Sequence, residues 1–147
     1  MGYSILGAIG SNFVNLILVA IFNIVVQAIV TLATGVQPSH GLTDPITNPV
    51  AFQFSMYTFL AAMMLSGIAS GFLSQHFLRG SPAFAGFRSC NVLPMVVLVN
   101  HLRMRPLAPG EPPHGFVIAC CIMTMLLGGI SAVLRAPPPP RGTRLYP

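Results

Sequence analysis

Charged residues are scarce in this chain. Of its 147 residues, seven are basic, two are acidic and 6% in total are charged, whereas a soluble domain usually carries about 25%. A chain of this size leaves about a third of its surface exposed after folding in water, and so few charges cannot cover that area. The scarcity of charge therefore argues against a soluble globular protein.

Other absences narrow the class further. Three cysteines cannot all pair with one another, so a disulfide scaffold is excluded, and the glycines show no period of three, which excludes collagen. An apolar content of 54% argues against disorder. The class that remains is an integral membrane protein.

Enzyme motifs are missing as well. The sequence contains no GxSxG, Walker A, HExxH or DxD motif, and its two acids, Asp44 and Glu111, lie in expected loops. A pump or proton-coupled carrier normally places an ionisable residue at mid-membrane depth. We therefore expect no enzymatic activity, and we assign no catalytic, cofactor-binding or metal-binding residue.

Long uncharged stretches predict an all-α, polytopic membrane protein with four transmembrane helices and short loops. A helix needs about 20 apolar residues to cross ~30 Å of hydrocarbon. Asn48-Pro49 and Ser81-Pro82 each read as an N-cap followed by proline at the first helical position. The single helical domain is 1–134, with predicted spans at about 13–32, 49–78, 82–102 and 115–134.

The third segment and the C-terminus are special cases. Arg88 and Pro94 interrupt the third apolar run, so we expect a kink at Pro94 and leave a re-entrant segment open as the alternative. Residues 135–147 form an extended tail rich in proline and arginine. Ordering that tail costs about 1 kcal/mol or more per residue, so we expect a partner surface to hold it.

The arginines support four spans, because basic residues concentrate on one side of a membrane. With four spans, only Arg103 and Arg105 lie on the opposite face from both termini. We expect anionic lipids, and a bound lipid, on the richer face, and we expect no nucleic acid as a partner. The arginines of that face are Arg79, Arg88, Arg135, Arg141 and Arg144.

Small residues recur at helical spacing in the second and fourth spans. Helices associate in lipid through close backbone approach, which small side chains permit. These faces are therefore predicted to pack against protein, either within this chain or in a neighbour. The helix-packing residues are Ala62, Ser66, Gly67, Ser70, Gly71 and Ser74 in span two, and Cys120, Thr124, Gly128 and Ala132 in span four.

The first span carries a polar stripe of Asn15, Asn23, Gln27 and Thr31, with Asn12 near its start. Amides are costly toward lipid, so they should face the bundle interior or a partner. Interhelical hydrogen bonding is the favoured interpretation. The alternatives are a polar lining for a solute path and axial ligation of a pigment or haem.

Four-span topology places His40, His101 and His114 on one membrane face with both acids, and His76 on the other. Such a group would suit a metal or proton transfer to a quinone. No two histidines share an HxxxH or HxxH spacing, so we predict that these three do not coordinate a metal.

The function we expect is that of an accessory structural subunit. It would belong to a large multi-subunit membrane complex of energy metabolism and electron transport, such as the respiratory chain, an ATP synthase or a photosystem, and would contribute helix packing and assembly rather than catalysis. The expected location is an organelle inner membrane, mitochondrial rather than thylakoid. The alternative is a small channel or transporter, which would line a path with Asn15, Asn23 and Gln27. A membrane enzyme would need the histidines to converge.

Overall fold

The computed structural model describes residues 2–35, 48–77, 81–104 and 106–135. These residues form five helices and no strand. Arg79, Arg105, His40, Asp44 and the predicted tail with Arg141 and Arg144 lie outside them. The helices are α1 (Gly2–Thr34), α2 (Pro49–Phe77), α3 (Pro82–Ser89), α4 (Val92–Leu102) and α5 (His114–Arg135).

The helix boundaries follow local capping chemistry. The Asn48 side-chain oxygen accepts a hydrogen bond from the Ala51 N–H (3.1 Å), which confirms the predicted N-cap of α2. Helix α3 begins at Pro82 as predicted, although the preceding Ser81 makes no side-chain cap hydrogen bond. Helix α1 ends at Thr34, and Gly35 follows it with a φ of +72°, which glycine tolerates, and an N–H that donates to the Thr31 carbonyl (2.8 Å).

Three helices are long and apolar enough to cross a membrane, at Ile5–Thr34, Pro49–Ser74 and His114–Arg135. Helices α3 and α4 supply a fourth candidate if the bent pair is counted as one span. The predicted start of the first helix near residue 13 was too late. Nothing between Gly2 and Asn12 is a proline or a charge, so the helix extends over that segment.

The third predicted span is two helices rather than one helix kinked at Pro94. Helices α3 and α4 are bent by 63° at Cys90 and Asn91, ahead of the proline. Proline has no N–H to donate to the carbonyl four residues earlier, and its ring clashes with that carbonyl, which here belongs to Cys90. Pro94 instead occupies the first turn of α4, where a missing N–H is tolerated.

The bent pair runs antiparallel to α5 along its length. Gly86 of α3 lies against Gly128 in the second half of α5, and His101 at the end of α4 lies against His114 at the start of α5. A re-entrant segment would return to the side on which it began. The bent pair counts as a fourth span only where it is a broken span rather than a re-entrant loop.

Glycines allow α2, α3 and α5 to meet backbone to backbone. A Cβ added to Gly67 would lie 2.7 Å from the Thr124 carbonyl oxygen, and one added to Gly71 or Gly86 would collide with the Gly128 carbonyl oxygen. Beside this contact, the apolar core consists of Leu60, Met63, Val117, Cys120 and Cys121. The three helices can thus approach closely because glycine, which lacks a Cβ, occupies the contact positions.

We expect Gly71→Leu to destabilise the bundle, because its side chain would overlap backbone and Ser131 of α5. Overpacking of this kind costs about 1–3 kcal/mol or more of the free energy of unfolding. Denaturant titration in mild detergent measures the change. Gly10→Leu is the matched control, since a Cβ there meets no atom within 4 Å; equal stability of the two variants would contradict the packing.

Candidate functional site

The two small-residue stripes face each other between α2 and α5. The Ser74 hydroxyl donates within its own helix to the Gly71 carbonyl (2.7 Å), and Thr124 donates to Cys120 (2.8 Å), so neither polar side chain needs an interhelical partner. The stripe residues are all buried: Ala62, Ser66, Gly67, Ser70, Gly71, Ser74, Cys120, Thr124, Gly128 and Ala132.

A side chain from α1 fills the gap between α3 and α4. The Asn12 Nδ2 group donates to the Arg88 carbonyl (2.8 Å), and its Oδ1 accepts from the Val92 N–H (3.1 Å). In a continuous helix those two backbone groups would bond to each other. The Asn12 amide therefore replaces one helical hydrogen bond with two, as a side chain inserted at a sharp kink does.

Asn15, one turn further along α1, is 1% exposed and joins α1 to α2. Its Oδ1 accepts a hydrogen bond from the Ser70 hydroxyl (2.7 Å). Among the described residues its Nδ2 group finds no acceptor. This part of the polar stripe lies in the bundle interior.

The rest of the stripe is less well partnered. Asn23 and Gln27 are partly exposed, and the Gln27 Nε2 group donates to the Asn23 Oδ1 at 3.4 Å, a long hydrogen bond within the same helix. The Thr31 hydroxyl is shielded from solvent and has no hydrogen-bond partner among the described residues. The second half of α1 thus presents polar groups that have few hydrogen-bond partners in the described part of the chain.

A pair of histidines, buried His101 and partly exposed His114, lies where the end of α4 meets the start of α5. The Nδ1 atoms of His101 and His114 are 3.1 Å apart, and the rings meet edge to face. A hydrogen bond at this distance needs one Nδ1 to carry a proton and the other to accept it, so the tautomers decide which ring donates. Glu111 lies beside them, with its Oε1 4.0 Å from the His101 Nε2 and its Oε2 accepting from the Ala108 N–H (2.9 Å).

The structure brings together two of the three histidines predicted to share a face; His40 is outside the described residues. In the described part of the chain, no group of three or more His, Cys, Asp or Glu side chains is arranged to hold a metal ion. His76 is exposed near the end of α2. The prediction that the histidines bind no metal stays a prediction.

The sequence patterns do not predict two of these contacts, the Asn12 bridge and the His101–His114 pair. Asn12 was noted as polar, but its partners lie 76 and 80 residues away, and no local pattern points to them. The spacing rules applied to His101 and His114 detect pairs on one helix. A usable signal was present, because both histidines flank one short loop between consecutive helices, and such helix ends lie close together.

Two shallow grooves lie on the outer surface. The larger, of about 560 Å³, runs between α3 and α5, and the other, of about 470 Å³, lies along α4 beside Arg103. Neither groove is lined by α1, which carries the polar stripe.

We expect Asn12→Leu to loosen the α3–α4 junction, because it leaves the Arg88 carbonyl and the Val92 N–H without their partner. Each buried backbone group left unpaired costs about 1–3 kcal/mol. Hydrogen exchange measured by mass spectrometry should show faster exchange of the Val92 amide. Asn100→Leu, the same change at an exposed site of α4, should leave exchange unaltered; identical behaviour of both variants would refute the bridging role.

We also expect energetic coupling between His101 and His114. In a double-mutant cycle of His101→Phe and His114→Phe, contacting residues of this kind deviate from additivity by about 0.5–3 kcal/mol. The measured quantity is the free energy of unfolding in detergent. Additive effects of the two substitutions would show that the Nδ1–Nδ1 contact contributes nothing.

Comparison of the chain with protein-family models, with curated proteins and with solved structures finds no match. Function is therefore inferred from the contacts of the chain itself. Three features stand out: the tightly packed core of α2, α3 and α5, the Asn12 bridge across the break between α3 and α4, and the polar side chains of α1 that have few partners among the described residues.

Proposed function

We propose that this chain is an accessory structural subunit of a multi-subunit membrane complex. In this role it packs against other membrane subunits and supports assembly rather than catalysis. The observation that carries the proposal is the exposed surface of α1, whose second half carries polar side chains with few hydrogen-bond partners among the described residues.

Helix α1 is buried far less than its neighbours. Only 6% of its most apolar window is buried, against 44% for each of α2 and α5. Its interior contacts concentrate in the first half, at Asn12, Asn15 and Val19. Beyond Val19 the described residues of α1 are exposed or only partly buried, so much of this surface is available to lipid or to another subunit.

Lipid tails cannot form hydrogen bonds with the amide side chains in the second half of α1. Asn23 and Gln27 lie one to two turns past the middle of the candidate span Ile5–Thr34, and among the described residues their amide groups have only each other as hydrogen-bond partners. A polar group unpaired in hydrocarbon costs several kcal/mol, about 4–8 on a water-to-cyclohexane scale. A helix of another subunit that offers hydrogen-bonding side chains would remove that cost.

The packing of the core argues against the channel alternative. Between α2, α3 and α5 even a methyl group would collide with backbone at Gly71 and Gly86, so there is no space for a solute there. The stripe residue Asn15 is closed off by Ser70. A path along α1 would need walls supplied by other chains.

The class of complex that we propose rests on the composition of the sequence. Energy-converting membranes hold large assemblies with many small, hydrophobic, helical subunits, and this chain has the composition of such a subunit. We propose the mitochondrial inner membrane as its location, with the respiratory chain, the ATP synthase or, in a thylakoid, a photosystem as the assembly. Co-purification identifies which of these applies.

The test is native purification of the tagged chain from its own membranes in mild detergent, followed by mass spectrometry of co-migrating proteins. The wild type should migrate in a large complex. Asn23→Leu/Gln27→Met keeps the shape of both side chains but removes their hydrogen bonds, so this variant should dissociate from the complex while its unfolding transition stays intact.

The matched control is Val25→Ala/Ile29→Ala, which alters two exposed apolar residues of the same helix. This control should remain in the complex. A wild-type chain that purifies as a monomer or small homo-oligomer and moves a solute in liposomes would overturn the proposal in favour of a channel or transporter.

A further inference from the structure

The groove between α3 and α5 has an almost wholly apolar lining. From α3 it takes Ala83, Phe84 and Phe87, and from α5 it takes Met125, Gly129 and Val133, among others. Gly129 and Ala83 keep its floor low, because the two backbones approach closely there. The groove is open to the outside of the bundle along its length.

A cation stands beside this apolar surface. The Arg88 guanidinium carbon lies 5.4 Å from the centre of the Phe84 ring, and Phe84, Phe87 and Arg88 share one face of α3. Of the two acids in the chain, Asp44 lies outside the described residues and Glu111 lies with the histidines at the other end of α5. Within the described residues, Arg88 therefore has no carboxylate beside it.

The length of the groove along α5 matches the thickness of one leaflet. Its lining on α5 runs from Met125 to Leu134, which is about 14 Å of helix at 1.5 Å per residue. This is about half of the ~30 Å hydrocarbon thickness. An acyl chain occupies one leaflet only, so a groove of this length suits it.

We propose that this groove binds an anionic phospholipid of the leaflet on the arginine-rich face. One acyl chain lies between α3 and α5 against Phe84 and Phe87, and the lipid phosphate pairs with the Arg88 guanidinium. Arginine suits this task, since its planar fork of donors matches phosphate oxygens and it also stacks on an aromatic ring. The lipid supplies the negative charge that the described part of the protein does not place there.

The test uses the full chain with a photoreactive phenylalanine analogue at position 87. The protein is reconstituted in phosphatidylcholine vesicles that contain a minor fraction of phosphatidylglycerol, irradiated, and analysed by mass spectrometry. We expect phosphatidylglycerol adducts at this position to exceed their share of the vesicle lipid several-fold.

Arg88→Gln should reduce the adduct ratio to that of the vesicle, and Arg88→Lys should retain part of the excess. Ala83→Leu fills the groove from an exposed position and should lower lipid adducts of both kinds. Arg103→Gln, at the opposite end of the bundle beside the second groove, is the matched control and should behave as the wild type.

Two results would overturn the proposal. The first is an adduct ratio that equals the vesicle composition in the wild type, or that Arg88→Gln leaves unchanged. The second comes from irradiating the same variant in its native membranes: adducts to a protein rather than to a lipid would show that a partner subunit fills the groove. Thermal unfolding of each variant distinguishes loss of the site from loss of the fold.

Discussion

The arrangement of the bundle depends on how it pairs backbone groups at a helix break where little water is available. Pro94 prevents α3 and α4 from forming one regular helix, and a break in a lipid setting leaves N–H and C=O groups that must find partners within the protein. The amide of Asn12 supplies them by accepting from Val92 and donating to Arg88. The resulting bend lets α3 approach α5 at Gly86 and lets α4 end beside the start of α5. The same Asn12 contact therefore attaches α1 to the bundle and stabilises the bend between α3 and α4.

The extent to which sequence predicts this structure varies with the range of the interaction. The start of α2 follows from Asn48 and Pro49, and the existence of a break in the third segment follows from Pro94, because these effects act within one helical turn. The position of the break does not follow, since it also depends on which neighbour can bridge it. The Asn12 bridge joins residues more than 70 positions apart, and a single sequence contains no pattern for such a pair. The His101–His114 contact is intermediate, because it needs only the knowledge that a short loop joins two antiparallel helices.

Polar side chains in this bundle fall into two groups with different physical consequences. Serines and threonines of α2 and α5 return their hydrogen bonds to their own helix, as Ser66 does to Met63 (2.8 Å), so their small size can be used for packing without a cost in unpaired groups. Amides cannot be paired fully in this way, because each offers two donors and an acceptor. In the described part of the chain, Asn12 uses both kinds of group, Asn15 uses one, and Asn23 and Gln27 pair only with each other. Pairing is therefore more complete in the first half of α1, where the amides are buried, than in the second half, where they are partly exposed.

Two surfaces of this chain consequently present different chemistry to their surroundings. The second half of α1 presents neutral amides, which lipid tails cannot pair and which a polar side chain of another helix can. The α3–α5 groove presents apolar side chains beside one guanidinium. An anionic lipid would match both, through its acyl chain and its phosphate, whereas an uncharged helix would match only the apolar side chains. Because the two surfaces lie on different helices and demand different partners, a subunit contact on α1 leaves the groove free for lipid. The same chain can then join a protein neighbour on one side and hold a boundary lipid on the other.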